Sequence, residues 1–215
     1  MTGNPYGKRA TPIKRLPHKE SHAREDLLEI LHRSRVAHVA IDDGGPVIIP
    51  VAVAPWRDGS ELLLHGSAAS RLFKKLSEGT SACVSLTNLE GLVLARSAFE
   101  SSMNYRSLIA FGSARNLEGA EKEEALLALT EHLFPERTAE LRASTPKELR
   151  ATSIVAFPLD DYTIKVSDKE PEDPEEDLKE RVWAGVVPIH QVLGEPVAAS
   201  NLDPAIEVPE YIKRW

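Results

Sequence analysis

Short apolar runs separated by tight turns dominate the first third of the chain. A run over 36–41 is followed by Asp-Asp-Gly-Gly at 42–45, a second run over 47–54 precedes the Asp-Gly pair at 58–59, and a third run covers 62–65. Connections this short join antiparallel strands, because parallel strands need a crossover of roughly a dozen residues or more. The pattern therefore predicts an antiparallel sheet as the framework of the fold.

Later segments extend this sheet and flank it with helices. Alternating or continuous apolar runs predict further strands, which cover 82–87, 92–96, 106–117 and, as a closing strand or hairpin, 154–166. Apolar residues at helical spacing predict helices, which begin near Ser21 and cover 68–76 and 120–134. Helices among short antiparallel strands are typical of an α+β, mainly β, domain with a barrel-like sheet, since closure removes exposed edges.

Composition divides the chain into three parts. Residues 1–20 are basic and rich in proline, which predicts a flexible N-terminal arm. Residues 21–167 carry the strands and helices and are expected to form one folded domain. Residues 168–215 begin with an acidic loop, which is typical of a solvated segment. The apolar run that follows at 182–189 is expected to pack on the barrel or on a partner subunit.

Net charge and residue counts argue against several classes of protein. The formal net charge is −7, which disfavours nucleic acid as a partner because phosphate binding needs a positive field. Cys83 is the only cysteine, so an intramolecular disulfide and a cysteine-rich zinc site are excluded. The histidines lack metal-ligand spacing, and no metal site is expected. No segment has the character of a signal peptide or a membrane span, so we expect a cytoplasmic protein without a membrane partner.

A strand-to-helix transition at 62–75 has the composition of a phosphate-binding segment. It reads Leu-Leu-Leu-His-Gly-Ser-Ala-Ala-Ser-Arg-Leu-Phe-Lys-Lys. Backbone N–H groups at a helix start, the hydroxyls of Ser67 and Ser70, and the cations Arg71 and Lys75 could together hold a phosphate. The alternative is that Ser67 caps the helix and that the basic residues form an exposed face. Taken alone, the segment favours this alternative.

A second polar cluster lies between two apolar segments in the region 89–114. It has more hydrogen-bond donors than a plain hairpin needs, and these belong to Arg96, Ser97, Asn104, Tyr105 and Arg106. Each residue alone also has an ordinary interpretation, in which the arginines pair with carboxylates such as Glu100 or Glu118 and the tyrosine packs half-buried. The combination indicates a binding site.

His65 stands at the end of a predicted strand, where a histidine is often only a hydrogen-bonded structural residue. An unperturbed imidazole has a pKa near neutrality, so His65 could also exchange a proton with a bound substrate. Both interpretations are compatible with the sequence. His65 is therefore the candidate catalytic residue.

Three blocks of the sequence closely resemble flavin-nucleotide-binding proteins of the pyridoxamine 5'-phosphate oxidase-like group, which includes nitroimidazole-resistance proteins. The blocks are Gly-Leu-Val-Leu-Ala-Arg-Ser-Ala-Phe at 91–99 with Ser-Met-Asn-Tyr-Arg-Ser at 102–107, His-Gly-Ser and Ser-Arg within 65–71, and Val-Trp-Ala-Gly-Val-Val-Pro at 182–188. The resemblance runs from about Arg24 to Pro188. It implies a six-stranded antiparallel split β-barrel with flanking helices, a homodimer, and FMN bound between the subunits.

The resemblance also assigns residues to the FMN site. Backbone groups of the second strand would run along the flavin ring, at Val47, Ile48, Ile49 and Pro50. Ser70 and Arg71 would contact the phosphate, and Trp183 would approach the cofactor from the other subunit. His65 occupies the place of a histidine implicated in the nitroimidazole-resistance proteins.

Two departures from the family limit the predicted chemistry. Glu100 and Ser101 stand where many relatives carry two histidines, so activity or haem binding that depends on that pair is not expected. The substrate-gripping tail of the oxidases is missing, so pyridoxamine 5'-phosphate oxidation is not predicted. We predict an FMN-dependent oxidoreductase that transfers a hydride or electrons to a small organic substrate. The alternatives are a non-catalytic flavin or haem protein for storage or sensing, and a dimeric scaffold without a cofactor.

Overall fold

The computed structural model describes residues 13–215, and one antiparallel sheet is its framework. The ten strands of this sheet are β1 (Glu20–Ser21), β2 (Val36–Asp42), β3 (Pro46–Trp56), β4 (Glu61–Ser67), β5 (Ser81–Leu94), β6 (Ser102–Ser113), β7 (Arg115–Asn116), β8 (Thr152–Pro158), β9 (Tyr162–Ser167) and β10 (Gly185–Pro188). The α-helices in the described residues are α1 (Arg24–Arg33), α2 (Arg71–Ser77), α3 (Gly119–Leu133), α4 (Pro146–Ala151) and α5 (Glu210–Lys213). None of these helices is long and apolar enough to cross a membrane.

The strand order confirms the predicted α+β, mainly antiparallel, split-barrel class. Neighbouring strands follow the order β1-β9-β6-β5-β2-β3-β4-β8-β7, and β10 pairs with β5 beside this path. The sheet has more strands than the six predicted, and its path is open rather than closed. Its two end strands, β1 and β7, are only two residues long. Such short edges leave few unpaired backbone groups for another chain to join.

The longest strand of the sheet, β5, differs from the two strands predicted in its place. The segments 82–87 and 92–96 are not separate strands but parts of β5, which runs without a break and pairs with β6 along nearly its whole length. The register shifts between Leu89 and Gly91, so that Glu90 is the extra residue of a β-bulge. The sequence Leu-Glu-Gly resembles a turn, but here the bulge takes up the additional residue and the strand continues.

Helix α2 begins later than predicted. The segment at 68–70 forms a turn rather than the first helical residues, because the Ser67 hydroxyl accepts a hydrogen bond from the Ala69 amide at 3.2 Å. The Ser70 amide donates to the Ser67 carbonyl at 3.0 Å. Helical geometry then starts at Arg71. This turn carries the chain from β4 into the helix.

Both faces of β4 are buried, and they belong to two different cores. Leu62 and Leu64 point into the main core, which α1 and α2 help to enclose. Leu63 points the other way, into a smaller core beneath α3 that includes Leu129 and Ile154. Helix α3 therefore covers one end of the outer side of the sheet.

The rest of that outer side has no cover within the described residues, and we call it the uncovered face. Residues that face each other on paired antiparallel strands lie on the same side of a sheet, and the register of β2, β3, β5 and β6 places a group of exposed side chains together. The group includes Val36, His38, Asp42, Pro46, Ile48, Pro50, Thr87, Leu89 and Ile109. Most are apolar, so burial of this face would be favourable.

The segment after β9 is held to the rest of the chain by several contacts, of which two lie towards its end. Strand β10 pairs with the far half of β5, where Gly185 lies opposite Leu94. Beyond it, the hydroxyl of Tyr211 in α5 donates to Glu140 at 2.7 Å and accepts from Arg137 at 2.9 Å. Residues 1–12, most of the predicted arm, lie outside the described residues, and the predicted domain boundaries stay predictions.

Candidate functional site

Two of the predicted phosphate-binding cations lie together at the start of α2. The Arg71 Nε atom is 2.9 Å from one carboxylate oxygen of Asp43, and the Lys75 Nζ atom is 3.6 Å from the other. Asp43 belongs to the turn between β2 and β3. The Arg71 side chain is 67% exposed, so its guanidinium is accessible to a ligand. The sequence pattern gave no reason to expect Asp43 at this place.

The hydroxyls of the same segment have different surroundings. Ser67 is engaged with the Ala69 amide, and Ser70 occupies the N-cap position without a capping hydrogen bond from its side chain. Helix α2 has only seven residues, so its dipole is a minor contribution. Any affinity for phosphate at this place rests on the side-chain charges of Arg71 and Lys75.

The proposed flavin strand, β3, presents its residues alternately to the two sides of the sheet. Val47 and Ile49 pack against the main core, whereas Ile48 and Pro50 lie on the uncovered face. Ile48 is 66% exposed. A planar ligand on this face would contact these two side chains and the backbone of β3.

His65 lies on the same side of the sheet as the uncovered face. It faces Ala52 of β3 on one side and Ile154 of β8 on the other. Burial lowers the pKa of His65, so its imidazole is neutral at physiological pH. A neutral imidazole can accept a proton or bind a metal through one nitrogen.

Arg96 is committed to an ion pair. Its guanidinium contacts Asp173 at 2.7 Å, and the Arg96 amide donates to the other oxygen of the same carboxylate at 2.7 Å. The Asp173 side chain is only 2% exposed. The carboxylate partner is therefore in the acidic loop, and neither Glu100 nor Glu118 is used. The contact joins this loop to the end of β5.

Arg106 is surrounded by carboxylates. It contacts Glu90 of the bulge and lies 3.2 Å from Glu29 of α1. Burial alone would lower the pKa of Arg106, yet the nearby carboxylates, Glu90 foremost, raise it. The guanidinium is thus charged and already paired within the chain. Its contacts fix α1 against the β5–β6 hairpin.

The remaining polar residues of this hairpin have structural partners. The buried side chain of Asn104 donates to the carbonyl of Lys169 at 3.0 Å and accepts from its amide at 3.2 Å. Lys19 lies over the ring of Tyr105 at 5.7 Å, and the Ser97 hydroxyl accepts from the Glu100 amide at 3.2 Å. These contacts hold the hairpin tip and the start of the acidic loop.

The predicted site residues thus form two separate groups in one chain. Arg71 and Lys75 lie near the first residues of β5. They contact Asp43, which directly follows the last residue of β2, Asp42, and this end of β2 pairs with β5 near Ala82. Arg96 and Trp183 lie near the other end, at Leu94, whereas Tyr105 and Arg106 lie opposite Leu89 and Asn88 in the middle of β5. About 40 Å of strand separates Ala82 from Leu94, at roughly 3.3 Å per residue. Within one chain, Arg96 and Trp183 are therefore far along the sheet from Arg71.

Metal binding has no structural support in the described part of the chain. Within residues 13–215, no three His, Cys, Asp or Glu side chains are arranged to hold a metal ion. A haem differs from such a site because the porphyrin supplies most ligands, and the protein needs to provide only one or two.

Two solved structures are similar to this chain over nearly its whole length. The FAD and haem binding protein from Mycobacterium smegmatis shares 41% identity over 91% of this chain and 96% of its own, with a TM-score of 0.86. The flavocytochrome Anf3 from Azotobacter vinelandii shares 33% identity over 94% of each chain, also with a TM-score of 0.86.

More distant comparisons agree on the fold. A 5-nitroimidazole antibiotic resistance protein from Bacteroides thetaiotaomicron has a TM-score of 0.57 at 19% identity, over 68% of this chain and 86% of its own. No curated protein sequence matches significantly. The family profile described as pyridoxamine 5'-phosphate oxidase matches residues 23–166. The chain therefore belongs to the pyridoxamine 5'-phosphate oxidase family.

Proposed function

We propose that this protein binds a flavin nucleotide on the uncovered face, with its phosphate at Arg71 and Lys75. The observation that carries the proposal is the near full-length similarity to the FAD and haem binding protein of Mycobacterium smegmatis. The geometry of the site fits such a ligand. An apolar sheet surface lies beside His65, and two cations stand at its border.

Simple energetics indicate that the phosphate contacts need support from burial of the ring. Hydrogen bonds to charged groups contribute about 1.5 to 3 kcal/mol each, and micromolar affinity requires about 8 kcal/mol. Arg71 and Lys75 supply only part of this total. The remainder must come from enclosure of the flavin ring, which an open sheet face cannot provide alone.

A second copy of the chain is the cover that we infer for the uncovered face. Most of the exposed side chains on this face are apolar. The C-terminal segment also exposes apolar side chains, including Trp183 at 64%. In a homodimer the hairpin tip and Trp183 of one subunit could approach the Arg71 group of the other. The two groups separated in one chain would then form one cleft.

We propose FAD rather than FMN as the nucleotide. FMN is what the sequence resemblance implied, whereas the relative at 41% identity is described as binding FAD. Both share the ring and the first phosphate, so the same residues serve either. FAD adds a second phosphate and an adenosine, which would extend beyond Arg71.

We further propose an oxidoreductase role toward a small organic substrate. When bound, a flavin supplies hydride or single-electron transfer, and the protein positions the reactants. The neutral His65 imidazole would hold a proton at one ring nitrogen, where it could pass to or from a substrate. Arg71 and Lys75 would orient the phosphate end.

A haem is the second candidate ligand, because the two full-length relatives are described as haem-binding and as a flavocytochrome. Histidine is one of the residues that can serve as an axial haem ligand, and its imidazole must be neutral to do so. Burial, which lowers the pKa of His65, favours this neutral form. Haem binding through His65 alone would not need the two histidines in whose place this chain has Glu100 and Ser101.

The test is purification of the full chain, followed by reconstitution with FMN, FAD or haemin. Mass spectrometry identifies any co-purifying molecule, and absorbance and flavin fluorescence give the affinities. FAD binding at micromolar or lower Kd is expected, together with a Soret band that His65→Ala abolishes. Arg71→Ala should weaken FAD binding at least tenfold, whereas Arg150→Ala, an exposed arginine of α4, should not. A chain that binds neither flavin would contradict the proposal.

A further inference from the structure

A small cavity at the junction of α1 and β2 has walls made largely of hydrogen-bond donors. We call it the junction pocket, and its volume is about 290 Å³. Its polar lining comes from three parts of the chain and consists of His32, Arg33, Arg35, Asn88, His190 and Gln191. The residues after β10 complete this lining.

Several of these donors are held in place by the fold. The Asn88 oxygen accepts from the Ser34 hydroxyl at 3.4 Å, and the Asn88 nitrogen donates one hydrogen to the Ile30 carbonyl at 3.4 Å. These two contacts fix the amide and leave its second N–H for a ligand. The Ile189 amide donates to the Glu90 carbonyl at 2.8 Å, so the backbone is fixed immediately before His190. Preorganised donors lose little freedom when a ligand binds.

The charge of the pocket is positive. Arg33 is oriented by Glu29 at 3.2 Å and by Glu90, whereas Arg35 forms no ion pair among residues 13–215. No carboxylate contributes to the lining. The net charge of the protein is −7, so a cavity lined by cations and without carboxylates differs from the chain as a whole.

A neighbouring histidine supports this description. His132 lies behind the pocket, where its Nε2 atom is 2.9 Å from the Ser34 carbonyl. Burial is the main reason that the pKa of His132 is lowered, and the positive charge of Arg35 acts in the same direction. The hydrogen bond to Ser34 opposes these two effects.

We propose that the junction pocket binds a small organic anion through a carboxylate or phosphate group. Arg35 supplies the charge, and the imidazoles of His32 and His190 with the amide of Asn88 supply directed hydrogen bonds. Leu89 also lines the pocket and belongs to the uncovered face, so the apolar part of the ligand would rest there. Only Leu89 is shared with the uncovered face, and the groups that would bind the anion are separate from Arg71, Lys75 and His65.

The experiment titrates the full-length protein with inorganic phosphate and, separately, with acetate, at constant ionic strength maintained with chloride. Binding is followed by calorimetry and by the NMR signals of the histidine ring protons. We expect saturable binding with a Kd in the millimolar range or tighter for at least one anion. The signals of His32 and His190 should move, while that of the distant exposed His22 should not. The anion that binds more tightly identifies the recognised group.

Matched variants locate the site. Arg35→Gln and His190→Gln should each weaken binding at least tenfold, and Arg150→Gln should change it less than twofold. Thermal unfolding of each variant checks that the fold is intact, which is expected because these side chains are exposed. Absence of saturable binding in the unmodified protein would overturn the proposal. So would equal affinities for the Arg35→Gln and Arg150→Gln variants.

Discussion

Asp43 occupies a position between two cations that a flavin phosphate would also contact. In the absence of a ligand it neutralises part of the charge of Arg71 and Lys75. A phosphate that enters must either displace this carboxylate or bind beside it against repulsion. Asp43 is therefore expected to reduce the affinity of the site, and a single substitution can measure by how much.

We predict that Asp43→Asn strengthens flavin binding by a factor of about 1.4 to 5. The magnitude follows from the range of 0.2 to 1 kcal/mol for exposed ion pairs, because 1.4 kcal/mol corresponds to tenfold in affinity. Fluorescence titration with FAD measures the change. Asp160→Asn removes an exposed carboxylate elsewhere and serves as the control. Weaker binding by Asp43→Asn alone would mean that the carboxylate orients Arg71 rather than competing for it.

The burial of two histidines leads us to predict how the stability depends on pH. Burial lowers the pKa of both His65 and His132 in the folded protein, so between that value and about 6.5 the unfolded chain binds more protons. The free energy of unfolding should therefore fall as the pH decreases from 7 to 5. Urea unfolding at both pH values should show a smaller fall for the double variant His65→Gln, His132→Gln. The exposed His22→Gln control should retain the full dependence.

At the scale of elements, local patterns predicted much of the fold, and contacts distant in sequence account for what they missed. The turns at 42–45 and 58–59 and the helix at 120–134 follow from turn residues and apolar spacing, and the structure confirms them. The bulge at Glu90 lies between the segments 82–87 and 92–96, which were predicted as two strands and are one. The contact of Asp43 with Arg71 joins a turn to the first residue of α2, and no local pattern indicates it.

Some residues of the site could be grouped from the sequence, whereas the partners of others could not. His65, Arg71 and Lys75 share one segment, so their proximity could be anticipated from the chain. Arg96 and Arg106 have carboxylate partners from the acidic loop and from α1 and β5. Which carboxylate pairs with which arginine depends on tertiary packing that the sequence order does not display.

Gly66 determines how α2 packs against β4. A Cβ atom at this position would lie 2.1 Å from the ring of Phe73, which is buried. We predict that Gly66→Ala lowers the free energy of unfolding by about 1 to 3 kcal/mol, since the ring must shift within a packed core. It should also weaken flavin binding by moving Arg71. Urea unfolding measures the first effect, and Gly194→Ala, where a Cβ meets nothing, is the control. Equal stability of the two variants would contradict this account of packing.

At the scale of the whole molecule, the open sheet leaves one apolar face for another chain. Helix α3 covers only the end of that side. The strands next to it carry exposed apolar residues in register, which is unusual for a protein that acts alone. A dimer would bury this face and the flavin ring together. Dimerisation and flavin binding are therefore expected to depend on each other.

We predict that Ile48→Asp yields a monomer that has lost most of its flavin affinity. A carboxylate in the centre of the uncovered face would be buried without a partner in the dimer, at a cost of several kcal/mol. Sedimentation velocity measures the association state. Leu127→Asp, at a residue of α3 that is 60% exposed, introduces the same charge outside the proposed interface. If the unmodified protein is a monomer that holds flavin tightly, the intersubunit site is wrong.

The pairing of β1 with β9 sets a condition on how the protein folds. Glu20 lies opposite Lys165, so the first strand joins the sheet only after nearly the whole domain is available. Native pairings between residues so far apart in sequence are formed slowly, because the ends of a long loop must meet first. During synthesis, which proceeds from the N-terminus, the first strand has no partner until about residue 165 has left the ribosome. Of the ten described strands, only β10 at 185–188 is synthesised after the partner of β1.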